Sequence, residues 1–207
     1  MEVLKAIKER RTIRKFQQKA IDKSSLKELV DCARLAAMPA NIQPLKFGII
    51  TDKELCDKIF PCTKWAGYLP DGTPKENERP VSYIAILGDN EIKKSFEVEA
   101  GAAVTNIMLA ALEMGIASCW IGALDREGIV KALNLPEKYS VVYMVALGYP
   151  MQESVAVDIE NGDIKYFMGE GEVLKVPKRS FTFASSSALP IGSLIIVGTA
   201  TVVFSAL

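Results

Sequence analysis

The chain has 207 residues, enough for one sizeable α/β or α+β domain. Its 25 Lys and Arg residues equal its 25 Asp and Glu residues, which argues against a nucleic-acid partner bound through a broadly basic surface. Histidine is absent, so Ser-His-Asp and Cys-His nucleophile systems and His-ligated metals are excluded.

The N-terminal residues alternate charged and apolar side chains and lack the apolar stretch of a signal peptide, so we expect a cytoplasmic protein. The four cysteines have no CxxC pairing, and no metal site is predicted from them. Buried free thiols are the favoured interpretation for Cys32, Cys56, Cys62 and Cys119.

Helical spacing of apolar residues predicts a short first helix from Val3 to Ile7, just before a basic segment. Ser25 and Glu28 form a capping box that predicts the start of a second helix, which Pro39 should end. Two short apolar runs then predict buried strands at 47–50 and 83–87.

The segment Pro61–Pro80 between these strands is long and irregular, and we predict that it forms a lid over a substrate site, with Trp65 and Tyr68 as its aromatic residues. An apolar helix over 100–112 should be buried centrally or in a subunit interface. After Gly115 come a strand over 116–121, a helix capped by Asp125, and a strand over 141–147. This loose alternation favours an α+β layered domain.

The basic segment Arg10–Arg14 is the first candidate binding element. If it is extended, Arg10, Thr12 and Arg14 point to one face at steps of roughly 6.6 Å, which suits a polyanionic ligand such as a phosphate ester. Taken alone, however, the segment fits helix-end electrostatics better, because cations stabilise a helix C-terminus by about 0.3 to 1 kcal/mol each.

Two further segments suit a flat, polar-edged ring. The carboxamides of Asn41 and Gln43 can each donate and accept hydrogen bonds, as an N–H flanked by carbonyls requires. Gly122, at the end of the strand Trp120-Ile121-Gly122-Ala123, lets a ring approach the backbone. Taken alone, the first is more simply a polar loop after a helix, and an ordinary turn would explain the second.

Together these segments are similar to those of the nitroreductase family. The resemblance rests on the order of Arg-Arg-Thr-Ile-Arg at 10–14, Asn-Ile-Gln-Pro at 41–44, and a long apolar helix that leads into Ser-Cys-Trp-Ile-Gly at 118–122. It covers about residues 3–179, which we take as one FMN-binding domain, 1–179, followed by an uncharged apolar tail, 180–207.

The resemblance implies a layered α/β/α fold with a central, mostly antiparallel sheet, and a homodimer with FMN bound at the subunit interface. It implies an NAD(P)H-dependent flavin oxidoreductase that passes hydride through flavin N5 to a nitroaromatic, a quinone or a similar acceptor in a ping-pong cycle. A flavin-binding or redox-sensing protein without efficient turnover is the alternative. In either case the implied flavin contacts are Arg10, Arg11, Thr12, Arg14, Met38, Pro39, Asn41, Gln43, Ile121, Gly122, Ala123, Lys178 and Arg179.

Arg14 is expected to stabilise the reduced ring electrostatically, and no side chain need act as a proton donor. Ala37 and Met38 replace the family's usual Pro-Ser, which removes one expected hydroxyl contact. The tail after Arg179 departs further, since 180–207 contains no charged residue. It is open to three interpretations: an arm packed on a partner subunit, a sequence foreign to the family, or a membrane anchor, which is the least favoured of the three because Pro190 and Gly192 interrupt its apolar part.

Overall fold

The computed structural model describes residues 2–179, and the predictions for the tail at 180–207 lie outside the described residues. Contacts divide the chain into two compact units, residues 1–154 and the part that begins at residue 155. The predicted boundary at residues 179 and 180 stays a prediction. Among the helices of residues 2–179, none combines the length and apolar character needed to cross a membrane.

The first unit is built around an antiparallel sheet. Strand β2 pairs with β3, β3 pairs with β5, and both β4 and β1 also pair with β5. The elements of this unit, in chain order, are α1 (Val3–Glu9), β1 (Phe16–Gln17), α2 (Lys23–Arg34), β2 (Leu45–Ile50), α3 (Lys53–Ile59), β3 (Ser82–Asp89), α4 (Glu97–Glu113), β4 (Ala117–Ile121), α5 (Arg126–Leu133) and β5 (Tyr139–Pro150).

Two separate apolar clusters cover the two faces of this sheet. Ile84 and Ile86 of β3 pack in one cluster with residues of α2 and α4, whereas Tyr83, Ala85 and Leu87 pack in the other with residues of α3 and α5. This separation follows from the pleat, which sends successive side chains to opposite faces. The predicted α+β class and the central antiparallel sheet between helical layers are confirmed.

Strand β5 carries a β-bulge opposite Ile86 and Leu87 of β3. Ile86 pairs with Tyr143 and Leu87 pairs with Val141, so Val142 is the extra residue. The alternation therefore breaks, and Val142 and Tyr143 both pack on the side of α2 and α4. Bulges re-aim side chains in this way, and here the re-aimed side chain is Tyr143.

Several helix ends match the sequence-based expectations. Asp125 caps α5 by accepting a hydrogen bond at Oδ1 from the Gly128 N–H at 3.1 Å, and Asn134 closes the helix in the left-handed conformation, at φ +47°. Gly115 follows α4 at φ +69°, a conformation that glycine adopts without the Cβ clash of other residues. The capping-box prediction was wrong, because α2 already begins at Lys23, which puts Ser25 inside its first turn.

The second unit contains a three-stranded sheet of order β6-β8-β7, with β7 and β8 antiparallel. Its strands are β7 (Phe167–Met168), β8 (Leu174–Lys178) and β6 (Ser154–Asp158), whose first residue, Ser154, is the last residue of the first unit. The N–H of Ile159 donates to the carbonyl of Lys178 at 2.9 Å, and the N–H of Gly169 donates to the carbonyl of Val173 at the same distance.

Candidate functional site

Arg10 ends α1 and begins the basic segment with a non-helical backbone, at φ −56° and ψ 125°. The N–H of Ile13 donates to the carbonyl of Ser118 at 3.1 Å, which fastens the segment to the start of β4. Two residues on, the carbonyl of Lys15 accepts from the N–H of Met151 at 2.9 Å, just after β5. The segment is therefore held between two strands of the sheet.

A cavity of about 250 Å³ opens beside this segment. It lies where the end of α1, the C-terminal part of α4, the start of β4 and the residues after β5 meet. Its walls are formed by Glu9, Arg10, Arg11, Ile13, Met108, Leu112, Gly115, Ile116, Ala117, Ser118, Pro150, Gln152, Glu153 and Ser154.

Two guanidinium groups share this cavity. Arg10 Nη1 lies 3.9 Å from the sulfur of Met108, and Arg11 Nη1 donates to the carbonyl of Arg10 at 2.5 Å. Burial, and then the positive charge of Arg11, lower the pKa of the Arg10 guanidinium. Arginine stays charged at neutral pH all the same, so two partly dehydrated cations lie side by side, an arrangement that a bound anion would stabilise.

Unused donors point to the same conclusion. Arg11 Nε and the hydroxyl oxygen of Ser154 are buried, and neither has a hydrogen-bond partner within residues 2–179. Buried polar atoms without partners are uncommon in folded proteins, and each needs an explanation such as a ligand or an ordered water. Both residues line the cavity, so its chemistry matches an anion with several acceptor oxygens.

The remaining residues of the segment are half-buried. The backbone N–H of Arg14 lies 3.4 Å from Oε1 of Gln152, and Thr12 is half-buried between Arg11 and Ile13. The sequence predicted that Arg10, Thr12 and Arg14 share one face of the basic segment. In the structure, the residues of the segment that line the cavity are Arg10, Arg11 and Ile13.

At the C-terminal end of β4, two aromatic side chains lie beside an exposed stretch of backbone. The rings of Trp120 and Tyr143 meet at 78° with centroids 5.0 Å apart. A Cβ added to Gly122 would lie 3.4 Å from the Tyr143 ring, and one added to Gly101 of α4 would lie 3.7 Å from the Trp120 indole. Ile121 is buried in the core, whereas Gly122 and Ala123 are exposed, so their backbone is accessible to a flat ligand.

The turn that contains the two carboxamides has an unusual backbone. Ala40, Asn41 and Gln43 all have positive φ, at 49°, 52° and 52°. Asparagine tolerates this region better than alanine or glutamine, and such strain is found most often at functional sites. The turn is exposed from Pro39 to Gln43, and the side-chain Nε2 of Gln43 donates to the carbonyl of Asn41 at 3.3 Å. Met38, just before it, packs against the cluster of α2 and α4.

The two aromatic residues of the predicted lid have different environments. Trp65 is buried, stacks on Phe60 with a centroid distance of 5.7 Å, and donates from Nε1 to the Thr63 hydroxyl at 2.9 Å. Tyr68 is 51% exposed. The stretch before Trp65 pairs with the residues after β4, since Thr63 and Leu124 form an antiparallel bridge.

Lys178 and Arg179, the predicted basic pair, are exposed residues at the end of β8 in the second unit. Their part in phosphate binding stays a prediction. Sequence reasoning missed Ser118, Tyr143, Gln152 and Ser154, which lie at or near the candidate site. Each is an isolated residue in or beside a strand, and no local pattern sets it apart from its neighbours.

An antiparallel sheet with helices on both faces defines an α+β protein, and the cavity lined by arginines at one end of β4 is its candidate anion site. The chain belongs to the Nitroreductase family, whose profile matches residues 7–76 and 77–149. It is 31% identical over 160 residues to an Archaeoglobus fulgidus protein named "Putative NADH dehydrogenase/NAD(P)H nitroreductase", a match that covers 73% of this chain and 87% of that relative.

Two solved structures extend this comparison. An FMN-dependent nitroreductase from Clostridium difficile R20291 superposes with a TM-score of 0.65 at 26% identity, covering 81% of this chain and 98% of that one. A nitroreductase-type structure from Desulfovibrio desulfuricans, solved in complex with FMN, has a TM-score of 0.61 at 28% identity, covering 73% and 88%. The predicted family is therefore confirmed.

Proposed function

We propose that this protein is an FMN-dependent oxidoreductase that takes reducing equivalents from NAD(P)H and passes them to a nitroaromatic, a quinone or a similar electron-poor acceptor in a ping-pong cycle. The observation that carries the proposal is the cavity beside Arg10 and Arg11, with its two adjacent cations and its two buried donors that have no partner among residues 2–179. Membership of the nitroreductase family supplies the class of reaction, since relatives are named as FMN-dependent and as NAD(P)H nitroreductases.

The residues at the two ends of β4 fit the two ends of FMN. A cavity of about 250 Å³ is smaller than the roughly 300 to 1,000 Å³ of pockets that hold drug-sized ligands, so it suits the phosphate end alone. The exposed backbone at Gly122 and Ala123 suits the ring, because no side chain of Gly122 stands in the way. When bound, FMN would supply the hydride chemistry at its N5.

Each part of the site then has a distinct task. Arg10 and Arg11 bind the phosphate, with Thr12 beside them, and Lys178 and Arg179 complete this end. Arg14 lies towards the ring and stabilises the negative charge that the reduced ring carries. Met38, Pro39, Asn41 and Gln43 approach the ring and its polar edge, and Tyr68 contacts the acceptor.

A homodimer is part of the proposal, because two helices leave apolar surface uncovered. In α1 only Ala6 is buried, while Val3, Leu4 and Ile7 are 54% to 70% exposed. Helix α4 is apolar nearly all round, yet residues such as Leu109 on its outer side are only half-buried. A second subunit packed here would cover both surfaces, and its Met38, Pro39 and Ala40 would approach the ring bound by the first subunit.

The test is to purify the protein, reconstitute it with FMN and record its visible spectrum and its oxidation of NADH and NADPH. We expect a yellow protein that oxidises at least one nucleotide steadily when menadione or a nitroaromatic is present. No flavin after reconstitution would overturn the proposal. A yellow protein without turnover would instead support the redox-sensing alternative. Sedimentation velocity of the same sample tests the dimer.

A further inference from the structure

Arg126, the first residue of α5, joins two strands through a single guanidinium group. Its Nε donates to the carbonyl of Val141 at 3.1 Å. Its Nη2 donates to the carbonyl of Val142 at 3.2 Å and lies 3.4 Å from the carbonyl of Gly122. One exposed side chain therefore ties the end of β4 to the bulge of β5.

The bulge explains why Arg126 finds acceptors in β5. An extra residue disrupts the hydrogen-bond ladder locally, and backbone carbonyls there need donors from elsewhere. Val142 is that extra residue, and Arg126 supplies charged donors to its carbonyl and to the preceding one. The same bulge places Tyr143 against Gly122, so the bulge and Arg126 act on the same backbone.

The backbone after β4 is held from a second direction as well. The carbonyl of Ala123 accepts from the N–H of Lys64 at 3.0 Å, and the N–H of Asp125 donates to the carbonyl of Cys62 at 2.8 Å. Arg126 adds the bond to the carbonyl of Gly122. Because a peptide unit is planar, fixing this carbonyl also fixes the N–H of Ala123, which points the opposite way.

We propose that Arg126 is a positioning residue for the flavin ring. It holds the Gly122–Ala123 peptide in the orientation that presents its N–H to the ring, and it does so without touching the ligand. The inference rests on the proposed function. It adds a role for a side chain that lies outside the basic segment, the carboxamide turn and the C-terminal basic pair.

The experiment compares Arg126→Met, which keeps the length of the side chain and removes its donors, with Arg126→Lys and with the control Arg34→Met. Arg34 is an exposed arginine of α2 that pairs with Asp31. For each variant, fluorescence quenching gives the Kd for FMN and for riboflavin. Hydrogen exchange of the flavin-free protein gives the protection of the Lys64 and Asp125 amides.

We expect Arg126→Met to raise the Kd for FMN and for riboflavin alike by about tenfold, the order expected for losing a hydrogen bond to a charged group. The Lys64 and Asp125 amides should exchange faster in the same variant. Arg126→Lys should recover part of both effects, and Arg34→Met should show neither. An equal rise in the Kd for FMN and for riboflavin indicates an effect at the ring, because a loss of phosphate contacts would weaken the binding of FMN alone. A general loss of structure would also expose amides far from β4.

Unchanged Kd values in Arg126→Met, with or without faster exchange, would overturn the inference and leave the proposed function intact. Wild-type protein that binds neither flavin would overturn the proposed function and the inference together. If the methionine variant does not fold, Arg126→Gln takes its place, since its carboxamide keeps one donor group.

Discussion

The rings of Trp120 and Tyr143 meet nearly at right angles, with centroids 5.0 Å apart. Such a pair contributes about 0.5 to 1.5 kcal/mol beyond the area it buries. Trp120 stays 38% exposed, so the pair fixes a large aromatic surface at the mouth of the candidate ring site without burying it. Tyr143 takes this position only because the bulge in β5 places it on the same side of the sheet as Val142.

The phosphate end of the site can be tested separately from the ring. We expect Arg10→Ala to raise the Kd for FMN by about tenfold or more and to leave the Kd for riboflavin, which lacks the phosphate, within about twofold. The matched control is Arg34→Ala. Fluorescence titration with the two flavins measures both values, and an equal loss for FMN and riboflavin would contradict the assignment of Arg10 to the phosphate.

Arg14 is predicted to act on the electronics of the ring. We expect Arg14→Ala to slow the reduction of bound flavin by NAD(P)H by about tenfold, because a fixed cation stabilises the charge that develops in the ring. The measurement is stopped-flow absorbance at full flavin occupancy. Lys53→Ala, which removes an exposed cation paired with Asp57 at 2.7 Å, is the control. An unchanged rate of flavin reduction in Arg14→Ala would rule out this role for Arg14.

Gly122 should be intolerant of a side chain for functional reasons. We expect Gly122→Val to fold with an unchanged melting temperature, within a few degrees, and to be purified without flavin, because its branched side chain would stand where the ring approaches. Gly67→Val is the control, since a Cβ there meets no atom of the described part of the chain within 4 Å. Full flavin occupancy in Gly122→Val, read from the visible spectrum, would place the ring elsewhere.

The two aromatic residues of the predicted lid should differ in what they contribute. We expect Trp65→Ala to lower the free energy of unfolding by about 3 to 5 kcal/mol, as for other buried tryptophans. Tyr68→Ala should change it by less than about 0.5 kcal/mol and should raise the KM for an aromatic acceptor. Urea unfolding and steady-state kinetics measure these quantities. A stable Trp65→Ala protein would show that the buried position contributes little.

The buried thiols predict a dependence of stability on pH. Burial raises the pKa of Cys56 and of Cys119 to about 11. The two thiols therefore stay protonated to a higher pH in the native state than in the unfolded chain. The free energy of unfolding should fall as pH rises from about 9 to 11. The deeply buried Cys119 accounts for about 2 to 3 kcal/mol of that fall, and Cys56, which lies nearer the solvent, accounts for less.

The measurement for the thiols is chemical unfolding at several pH values, for wild type and for Cys56→Ala with Cys119→Ala. The difference between the two proteins isolates the thiols from the lysines and tyrosines that titrate in the same range. Stability differences that stay constant from pH 8 to 11 would rule out the thiol contribution.

Much of the fold could be predicted because its strands and its apolar helix are local patterns. The run at 141–147 and the helix over 100–112 both lie within the observed elements. The bulge at Val142 could not be predicted, since nothing in a continuous apolar run says which residue lacks a partner. The start of α2 was missed for a related reason: Asp22 and Ser25 can both cap a helix, and the structure has the helix begin after the first.

The candidate site was predictable where several residues of one chemical type lie together, as at Arg10–Arg14. Arg126 carries no such signal, because an exposed arginine in the first turn of a helix is common and its acceptors lie in other elements. The burial of Trp65 likewise depends on pairing between residues near 63 and near 124, which are distant in sequence. A lid and a packed loop look alike when only composition is known.

The bulge in β5 has a consequence for how this strand tolerates change over evolution. Residues up to Val142 and residues from Tyr143 onward alternate between the faces in opposite phase. In a map of tolerated substitutions, the pattern should therefore alternate along each half of β5 and shift by one residue between Val142 and Tyr143. Deleting Val142 would bring the two halves into a single phase, and the strand would become regular while each remaining side chain keeps its present face.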